Sequence, residues 1–440
     1  MTNNGVGTAA SADLDQPTSV FSKRPSVAVV GLGYVGLPTA LALTDRATGV
    51  VGFDASESRL SAVKAARVDL QPRDRQRLCR ALDTGLLTLT TEPTDLATAE
   101  TVVICVPTPV DAHLTPDLTA LRSACATVVE QARAGQLIVL TSTTYPGCTV
   151  DLLVTPLAMR GFTIGRDISV AFSPERIDPG VAEHAPEHTP RVVGGVTTEC
   201  SARTVEVLTH TAESLHVVSS PEIAEMTKLL ENSFRAVNIA LANEFADAAR
   251  ELRIDIMEVI SAAATKPYGF MPFYPGAGVG GHCIPCDPHY LIWQLRSRRA
   301  ALPVIEAAMT AIAARPREVV VHARRILADR GSSLRGARIL VVGVAYKPGV
   351  ADVRESPALE IIDMLTAEGA SVGYTDPHVE MVETPAVGQL FHLPEPAAQS
   401  WDLVVVHTVH PAQDHRWLSN QLAVLDTTYR LKDIPSRHAL

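Results

Sequence analysis

The chain has 440 residues, of which 46% are hydrophobic and 20% charged, and its net charge is −10. This length predicts two or three domains with large cores, and the acidic balance argues against nucleic acid as the main partner. Seven cysteines scattered along a long chain argue against a disulfide framework and fit a reducing compartment, so we expect a cytoplasmic protein. No apolar run approaches the roughly 20 residues that span a bilayer, so we expect no membrane contact.

Residues 1–25 are polar and lack an apolar segment, which predicts a disordered tail and not a signal peptide. A strand at residues 26–30 then runs into a glycine-rich loop, an apolar helix and a second strand that ends in Asp54. The loop has the GxGxxG pattern, with glycines at Gly31, Gly33 and Gly36. Between a strand and a helix, with an acid after the next strand, this pattern predicts a dinucleotide site. A tight turn without a ligand is the alternative.

Asp54 favours NAD over NADP, because a carboxylate binds the ribose 2′-OH and repels a 2′-phosphate. The glycines let a pyrophosphate approach the start of the helix. We expect the cofactor to contact the three glycines and Tyr34, Val35, Asp54, Arg59, Pro107, Thr108 and Thr143.

Polar residues follow three further predicted strands, which cover residues 101–106, 136–140 and 168–172. The first is followed by Pro107 and Thr108, the second by Thr143, and the third by Glu175 and Arg176. The carboxyl ends of parallel strands meet at the edge where ligands bind, although simple turn chemistry also explains such residues. The alternation of strands and helices over residues 26–215 predicts one doubly wound domain.

A long helix is predicted from a serine cap at residues 219–220 to about Leu252, as a spine between domains. Lys228 and Asn232 are one turn apart on it and share a face, although a solvated lysine is the default for such a position. A second helix is predicted over residues 301–328, broken near Pro316. We expect residues 216–330 to form a central helical domain, and the family resemblance given below implies that this domain also serves for dimerisation.

Residues 331–440 predict a second α/β domain, with strands near 338–343, 370–374, 403–407 and 422–425 and a helix that Ser356 and Pro357 cap and that runs to about Glu368. Its first loop carries Lys347, and Arg354 is nearby. Two cations at a sheet edge suit a phosphate, and surface solubility is the alternative. The fold class is therefore α/β, with two Rossmann-like doubly wound domains joined by a long central helix.

The most unusual chemistry lies in residues 274–288, where four glycines precede Cys283. Such a loop can bring backbone N–H groups to an anion and hold a thiol at its edge. Asp287 follows one helical turn later, on the same face. An inert buried cysteine is one alternative, and the CxxC spacing to Cys286 suggests metal or redox chemistry. A zinc site needs about four ligands and no second CxxC exists, so we favour a single nucleophile without metal.

Together these motifs resemble the nucleotide-sugar 6-dehydrogenase family, within the UDP-glucose/GDP-mannose dehydrogenase superfamily. The resemblance runs from about Val27 to Asp426 through VAVVGLGYVGLP, ICVPTP, STTYPG, FSPERIDPG, KLLENSFRAVNIALANE, FYPGAGVGGHCIPCDP and GVAYKPGVADVRESPALEII. It implies oxidation of a sugar C6 alcohol to a carboxylate with two NAD per turnover, a UDP-sugar substrate, and a homodimer or higher homo-oligomer.

The resemblance also implies residue roles. Cys283 matches the nucleophile that forms a thiohemiacetal and then a thioester. Lys228 and Asn232 match the residues that stabilise the oxyanion and hold water, and Asp287 matches a carboxylate that moves protons. Thr143 matches a hydroxyl that holds water. The implied substrate contacts are Glu175 (also an acid/base group), Arg176, Lys228, Asn232, Phe273, Tyr274, Gly276, Gly280, Lys347 and Arg354.

The runs TKPYGFMPFYPG and SPERIDPG resemble the UDP-N-acetylglucosamine branch. The UDP-glucose branch usually has another run where Ile284 and Pro285 stand, and a second acid where Pro179 stands. Departures from the family pattern occur at Thr141, Met309, Ile312 and residues 426–429. UDP-N-acetylmannosamine, UDP-glucose and GDP-mannose stay open as substrates, as do a two-electron dehydrogenase and a non-catalytic nucleotide-sugar binder.

Overall fold

The computed structural model describes residues 27–46, 48–68, 70, 72–176, 188–209, 211–411 and 413–440. The predicted disordered tail and Pro179 lie outside these ranges. The strands are β1 (Val27–Val30), β2 (Val50–Phe53), β3 (Leu87–Thr90), β4 (Thr101–Ile104), β5 (Leu137–Leu140), β6 (Ser169–Phe172), β7 (Arg191–Gly195), β8 (Leu215–Val218), β9 (Arg338–Val342), β10 (Ser371–Thr375), β11 (Met381–Thr384), β12 (Gly388–Phe391), β13 (Leu403–Val406), β14 (Val424–Asp426) and β15 (Arg437–Ala439).

The α-helices lie between the strands and in a central region. They are α1 (Gly36–Thr44), α2 (Glu57–Lys64), α3 (Pro72–Asp83), α4 (Thr119–Gln131), α5 (Thr155–Met159), α6 (Thr198–Leu208), α7 (Pro221–Leu252), α8 (Ile256–Ala264), α9 (Asp287–Arg296), α10 (Pro303–Asp329) and α11 (Pro357–Ala367). A π-helical turn at Val150–Val154 leads into α5.

The first sheet has eight strands in the order β3-β2-β1-β4-β5-β6-β7-β8. All neighbours pair in parallel except β6 and β7, which are antiparallel. Strands β1, β2, β4 and β5 are buried at every position, which explains their continuous apolar sequence. The strand order reverses between β1 and β4, and ligands of doubly wound sheets bind at such a point.

The second sheet has five parallel strands in the order β10-β9-β13-β14-β15, and β11 and β12 form a separate hairpin. Ile339 and Leu403 pack with residues of α10 in one apolar cluster, whereas Leu340 and Val404 belong to a cluster on the opposite face. The strand order reverses between β9 and β13. The predicted fold class, with two Rossmann-like sheets and a long central helix, is confirmed.

Helix α7 has 32 residues, as predicted, and is therefore about 48 Å long. It packs along α10 and also contacts α9 and β7. The predicted serine cap is wrong in detail, since Ser220 occupies the capping position without a side-chain hydrogen bond. Ser356 likewise precedes α11 without capping it, because its hydroxyl donates to the carbonyl of Val344 at 2.7 Å.

The predicted break at Pro316 is wrong. Helix α10 continues for 27 residues with Pro316 inside it, buried. Proline removes one backbone donor, but packing of α10 against α7 and α11 holds both halves in one helix. Among the described residues, no helix is both long and apolar enough to cross a bilayer.

Candidate active site

The glycine loop after β1 forms a close turn with open space on one side. Gly31 has φ +88°, and a Cβ there would lie 2.9 Å from the carbonyl oxygen of Cys105. A Cβ on Gly36 would lie 1.8 Å from the carbonyl oxygen of Gly31, so the start of α1 requires glycine. A Cβ on Gly33 would meet no atom within 4 Å. The loop therefore leaves room for a pyrophosphate beside the N-terminus of α1, and it fits NAD.

Asp54 follows β2 and holds this loop. Its carboxylate accepts from the backbone N–H of Leu32 at 2.9 Å and of Ser56 at 2.9 Å. Arg59 donates to the carbonyl of Leu32 at 2.8 Å. Asp54 is only partly buried, so its remaining acceptor capacity is available to a ribose, and the predicted acid stands where the fingerprint requires it.

The second sheet also has an aspartate after its outer strand, but hydrogen bonds within the protein already use its carboxylate. Asp376 follows β10, and one of its oxygens accepts from the N–H groups of Val344 at 2.8 Å and Ala345 at 3.1 Å. Because the Nδ1 atom of His410 accepts from Gly349, its Nε2 atom donates to Asp376, at 3.0 Å. Asp376 is 1% exposed. It has no free face for a ribose, so the first sheet alone has the features of a dinucleotide site.

The remaining predicted cofactor contacts lie at the carboxyl edge of the first sheet. Pro107 and Thr108 follow β4, and the carbonyl of Thr108 accepts from the hydroxyl of Tyr290 at 3.1 Å. Thr143 follows β5 and is half-buried. Tyr34 and Val35 lie within the glycine loop, and the Tyr34 ring is about half exposed.

The thiol loop packs against the loop after β9. A Cβ on Gly280 would lie 2.6 Å from Cβ of Tyr346, and one on Gly281 would lie 2.9 Å from the Tyr346 ring. Gly281 also donates its N–H to the carbonyl of Arg354 at 3.0 Å. These glycines are therefore needed for a close approach that places Cys283 between the two sheets.

Cys283 and Asp287 share one helical turn, as predicted. The N–H of Asp287 donates to the carbonyl of Cys283 at 2.8 Å, and α9 begins at Asp287. Across the site, Asn232 donates from Nδ2 to the Asp287 carboxylate. Lys228 donates from Nζ to the backbone carbonyl of Glu175 at 2.8 Å. The fold thus brings together the four predicted catalytic residues of α7 and the thiol loop.

Charges and burial set the protonation states in this site. Cys283 is exposed to solvent as a residue, but crowding of its sulfur raises the pKa of the thiol, and the charge of Asp287 raises it further. Lys228 opposes these effects. Burial raises the pKa of Asp287 to about 6, although Lys228 and the hydrogen bond from Asn232 favour its ionised form. At neutral pH the site therefore holds a protonated thiol beside an ionised carboxylate.

Glu175 and Arg176 follow β6 and have different environments. The Glu175 carboxylate lies 3.3 Å from the buried guanidinium of Arg191. Arg176 forms an ion pair with Glu231 of α7 and donates to the carbonyl of Pro190 at 2.8 Å. The Glu175 side chain therefore pairs with Arg191, whereas Arg176 connects its loop to α7.

Four of the predicted substrate contacts lie just before the glycines of the thiol loop and after β9. Phe273 contacts the ring of Phe234 edge-on at 5.7 Å, and Tyr274 is exposed. Lys347 is half-buried after β9. Arg354 is fixed by Asp352, which accepts from Arg354 Nη2 at 2.7 Å.

Glu225 is a buried residue that the sequence did not indicate. Its carboxylate accepts from the backbone N–H of Gly147 and, at 2.6 and 2.9 Å, from the hydroxyl and N–H of Thr149. It is one turn before Lys228 on α7. Glu225 therefore joins the loop that carries Thr143 to the helix that carries Lys228 and Asn232.

This arrangement defines a class: a dinucleotide-dependent oxidoreductase with a thiol and a carboxylate at the cleft between two Rossmann-like sheets. Models of the UDP-glucose/GDP-mannose dehydrogenase family match most of the chain. The NAD binding domain matches residues 25–212, the central domain residues 222–311, and the UDP binding domain residues 340–432.

Known proteins agree with this match. A UDP-N-acetyl-D-glucosamine 6-dehydrogenase of Pseudomonas aeruginosa is 33% identical over 391 residues, which cover 88% of this chain and 91% of that protein. A UDP-N-acetyl-D-mannosamine dehydrogenase of Escherichia coli is 34% identical over 355 residues, covering 77% and 82%. The structure of a UDP-D-ManNAc dehydrogenase from Pyrococcus horikoshii superposes with a TM-score of 0.85 at 30% identity, covering 94% of this chain and 98% of that one.

The chain belongs to the UDP-glucose/GDP-mannose dehydrogenase family. It is an NAD-dependent oxidoreductase with a UDP binding domain.

Proposed function

We propose that the protein oxidises the C6 alcohol of a UDP-sugar to the carboxylate, in two steps, while the sugar is held on Cys283. The observation that carries this proposal is the cluster of Cys283, Asp287, Lys228 and Asn232, joined by the Asn232–Asp287 hydrogen bond. A thiol beside a carboxylate and a lysine suits capture of an aldehyde between two oxidations.

In the first oxidation the C6 alcohol loses a hydride and a proton. NAD, which the glycine loop and Asp54 would hold, would supply the hydride acceptor for both oxidations. We assign the proton to a water held between Thr143 and Glu175. Lys228 lies beside Glu175, with Nζ 2.8 Å from its carbonyl, and its ammonium group stabilises negative charge on the C6 oxygen.

The aldehyde is then captured by the thiol. The Cys283 sulfur bonds to C6, its proton passes to the Asp287 carboxylate, and the C6 oxygen becomes the oxyanion of a thiohemiacetal beside Lys228. Because the pKa of the thiol is raised, it attacks only with a base at hand, and Asp287, with a pKa of about 6, is that base.

Loss of the second hydride turns the thiohemiacetal into a thioester. A water held by Asn232 and Lys228 then attacks C6 and releases its two protons to solvent, the C–S bond breaks, and the sulfur takes a proton back from Asp287. The products are the uronate and the free thiol, with two NADH formed per sugar.

We propose UDP-N-acetylglucosamine as the substrate, with UDP-N-acetylmannosamine as the main alternative. The runs before the thiol loop and at residues 173–180 support an N-acetylhexosamine. Relatives of similar identity are named for N-acetylglucosamine, N-acetylmannosamine and N-acetylgalactosaminuronic acid. UDP-glucose and GDP-mannose complete the set of candidates.

The test is a panel of UDP-N-acetylglucosamine, its manno and galacto epimers, UDP-glucose and GDP-mannose, each with NAD. We expect two NADH per uronate and no free aldehyde with the preferred substrate. Cys283→Ala should abolish steady-state uronate formation, and a sugar adduct should map to the Cys283 peptide. One NADH per turnover would indicate a two-electron dehydrogenase instead, and binding without NADH would indicate a non-catalytic binder.

We also propose that two copies pair through α7. One side of this helix exposes a row of large apolar side chains at helical spacing: Ile223, Met226, Leu230, Phe234, Leu241 and Phe245. Such a row supports burial against a second copy. Light scattering of the wild type should give twice the mass of one chain. The double variant Leu230→Glu, Phe245→Glu should give the mass of one chain.

The seven free cysteines support a reducing, cytoplasmic setting.

A further inference from the structure

Arg191 is a buried cation at the edge of the first sheet. It is the first residue of β7, and 4% of its surface is exposed. Its Nη1 atom lies 3.3 Å from a carboxylate oxygen of Glu175, whereas its Nε and Nη2 atoms have no hydrogen-bond partner among the described residues. A buried guanidinium needs a compensating charge, and Glu175 supplies it.

The antiparallel pairing of β6 and β7 brings these two side chains together. Phe172 of β6 lies opposite Gly194 of β7, and continuing this register beyond β6 places Arg191 opposite Glu175. Because β7 runs against β6, its first residue lies at the edge of the sheet where β1, β4, β5 and β6 end. Ligands of doubly wound sheets bind at this edge. The reversal of β7 therefore adds a cation to the ligand-binding edge.

The protein fixes both oxygens of the Glu175 carboxylate. Oε1 accepts from the backbone N–H of Arg176 at 2.8 Å, and Oε2 lies 3.3 Å from Arg191. Each oxygen keeps a second lone pair, so water can still bind. Burial raises the pKa of the Cys105 thiol, on which the charges of Glu175 and Arg191 act in opposite directions. The ion pair therefore lies near the end of β4, which Cys105 follows.

Lys228 has no carboxylate of its own. Its Nζ atom donates at 2.8 Å to the backbone carbonyl of Glu175, which carries no net charge. In the part of the chain that the structure describes, no carboxylate forms an ion pair with Lys228, although its charge acts on Cys283 and Asp287. A cation that no carboxylate holds is better placed to stabilise a developing oxyanion.

We propose that Arg191 is a positioning residue, which holds the Glu175 carboxylate away from Lys228 so that the lysine keeps its charge for the C6 oxygen of the substrate. The proposal rests on the function proposed above. Without Arg191, Oε2 of Glu175 loses its partner, and the carboxylate turns to the ammonium group beside its own carbonyl. Lys228 is then neutralised, and negative charge on the C6 oxygen is less stabilised in both oxidations.

The test is a double-mutant cycle of Arg191→Met and Glu175→Gln, with NAD and the nucleotide sugar that the substrate panel selects. We expect Arg191→Met to lower kcat about a hundredfold with a much smaller change in KM. The double variant should be no slower than Glu175→Gln alone, because no carboxylate is left to neutralise Lys228. Arg191→Lys keeps the positive charge and should keep most of kcat.

An isotope effect separates positioning from a loss of folded enzyme. Substrate with two deuterium atoms at C6 reports on hydride transfer, and its isotope effect on kcat should increase in Arg191→Met as that step becomes slower. Loss of folded enzyme lowers kcat but leaves the isotope effect and KM unchanged.

Arg203→Met is the matched control at the opposite edge of the same sheet. Arg203 donates to the carbonyl of Gly135 at 2.7 Å and to the hydroxyl of Ser169, the first residue of β6, at 3.0 Å. Its replacement should lower Tm and leave the isotope effect and the kcat of the folded enzyme unchanged.

Two results would overturn the inference. One is an equal loss of kcat from Arg191→Met in the wild-type and Glu175→Gln backgrounds, because Arg191 would then act independently of Glu175. The other is an unchanged kcat and isotope effect in Arg191→Met. If that variant does not fold, a double variant much slower than Glu175→Gln overturns the inference, and equal rates support it. A wild type that forms no NADH with any sugar of the panel refutes the proposed function itself, before any variant is compared.

Discussion

The guanidinium of Arg354 lies over the ring of Tyr34, 3.9 Å from its centroid. Tyr34 belongs to the glycine loop of the first sheet, and Arg354 follows the first strand of the second sheet. Asp352 holds the guanidinium with bonds of 2.7 to 3.2 Å, and the carbonyl of Arg354 accepts from Gly281 in the thiol loop. One residue therefore contacts both the cofactor loop and the loop of the nucleophile.

Replacing the Tyr34 ring should weaken use of NAD. Tyr34→Leu removes the aromatic face on which Arg354 lies, so we expect kcat/KM for NAD to fall about three- to tenfold. Tyr34→Phe keeps the aromatic face, so its kcat/KM for NAD should fall clearly less. Initial rates at varied NAD and saturating sugar nucleotide measure both. Equal losses for Phe and Leu would show that the ring–guanidinium contact is not the cause.

Local spacing in the sequence predicted much of this site. Lys228 and Asn232 lie one turn apart on α7, and Cys283 and Asp287 share another turn, so each pair follows from its own segment. The bonds between segments were not predictable in this way. Glu225 meets Gly147 across 78 positions, and Arg315 meets Asp247 across 68. Such partners are chosen by tertiary packing and leave no periodic signal in the chain.

Elements with weak patterns were missed for a similar reason. Strand β8 is half exposed, and the hairpin of β11 and β12 lies outside both large sheets, so neither has the continuous apolar run of β1 or β5. Pro316 led to the opposite error, a predicted break that is absent, because packing of α10 outweighs the unfavourable helix propensity of proline. The glycine loop and Asp54 were predictable because a single sequence unit contains the strand, turn, helix and acid.

The pH dependence of the reaction should follow Asp287. Its pKa is raised to about 6, chiefly by burial, so the basic carboxylate form predominates above pH 6 and is lost as the pH falls through that value. We expect kcat/KM for the sugar nucleotide to fall about tenfold per pH unit below 6. Asp287→Asn should strongly lower kcat/KM at neutral pH, and the remaining activity should no longer fall below pH 6. If kcat/KM of the variant still falls below pH 6, another group is responsible for the titration. Circular dichroism at each pH controls for unfolding.

Substitution by alanine should have different effects at Gly280 and at Gly33. Gly280→Ala places a Cβ 2.6 Å from Tyr346 and 2.7 Å from the carbonyl of Glu355. We expect it to lower Tm by several degrees and to reduce activity, because the thiol loop must move away. At Gly33 an added Cβ meets nothing within 4 Å. Gly33→Ala should therefore keep Tm but weaken NAD binding, since the methyl group fills the space for the pyrophosphate.

Calorimetric scans and NAD titrations of both variants separate the two effects. A loss of Tm in Gly33→Ala would show that the open space is taken up by the fold. Unchanged Tm and activity in Gly280→Ala would show that the loops after β9 and before Cys283 do not need their close contact.

Glu225 should act as a positioning residue through its bonds to residues 147–149. Glu225→Gln replaces one carboxylate oxygen by an amide that cannot accept from Gly147 N–H, so one buried donor is left unpaired. We expect a loss of about 1–3 kcal/mol in the free energy of unfolding, measured in urea. Because this loop also carries Thr143, kcat should fall more than the KM for NAD rises. Glu222→Gln, on the same turn but only half-buried, is the matched control; its charge adds to burial in raising the pKa of Glu225 but it bonds neither Gly147 nor Thr149, so it should change both quantities much less. A variant at Glu225 that is destabilised yet retains the wild-type kcat would limit this carboxylate to a structural role.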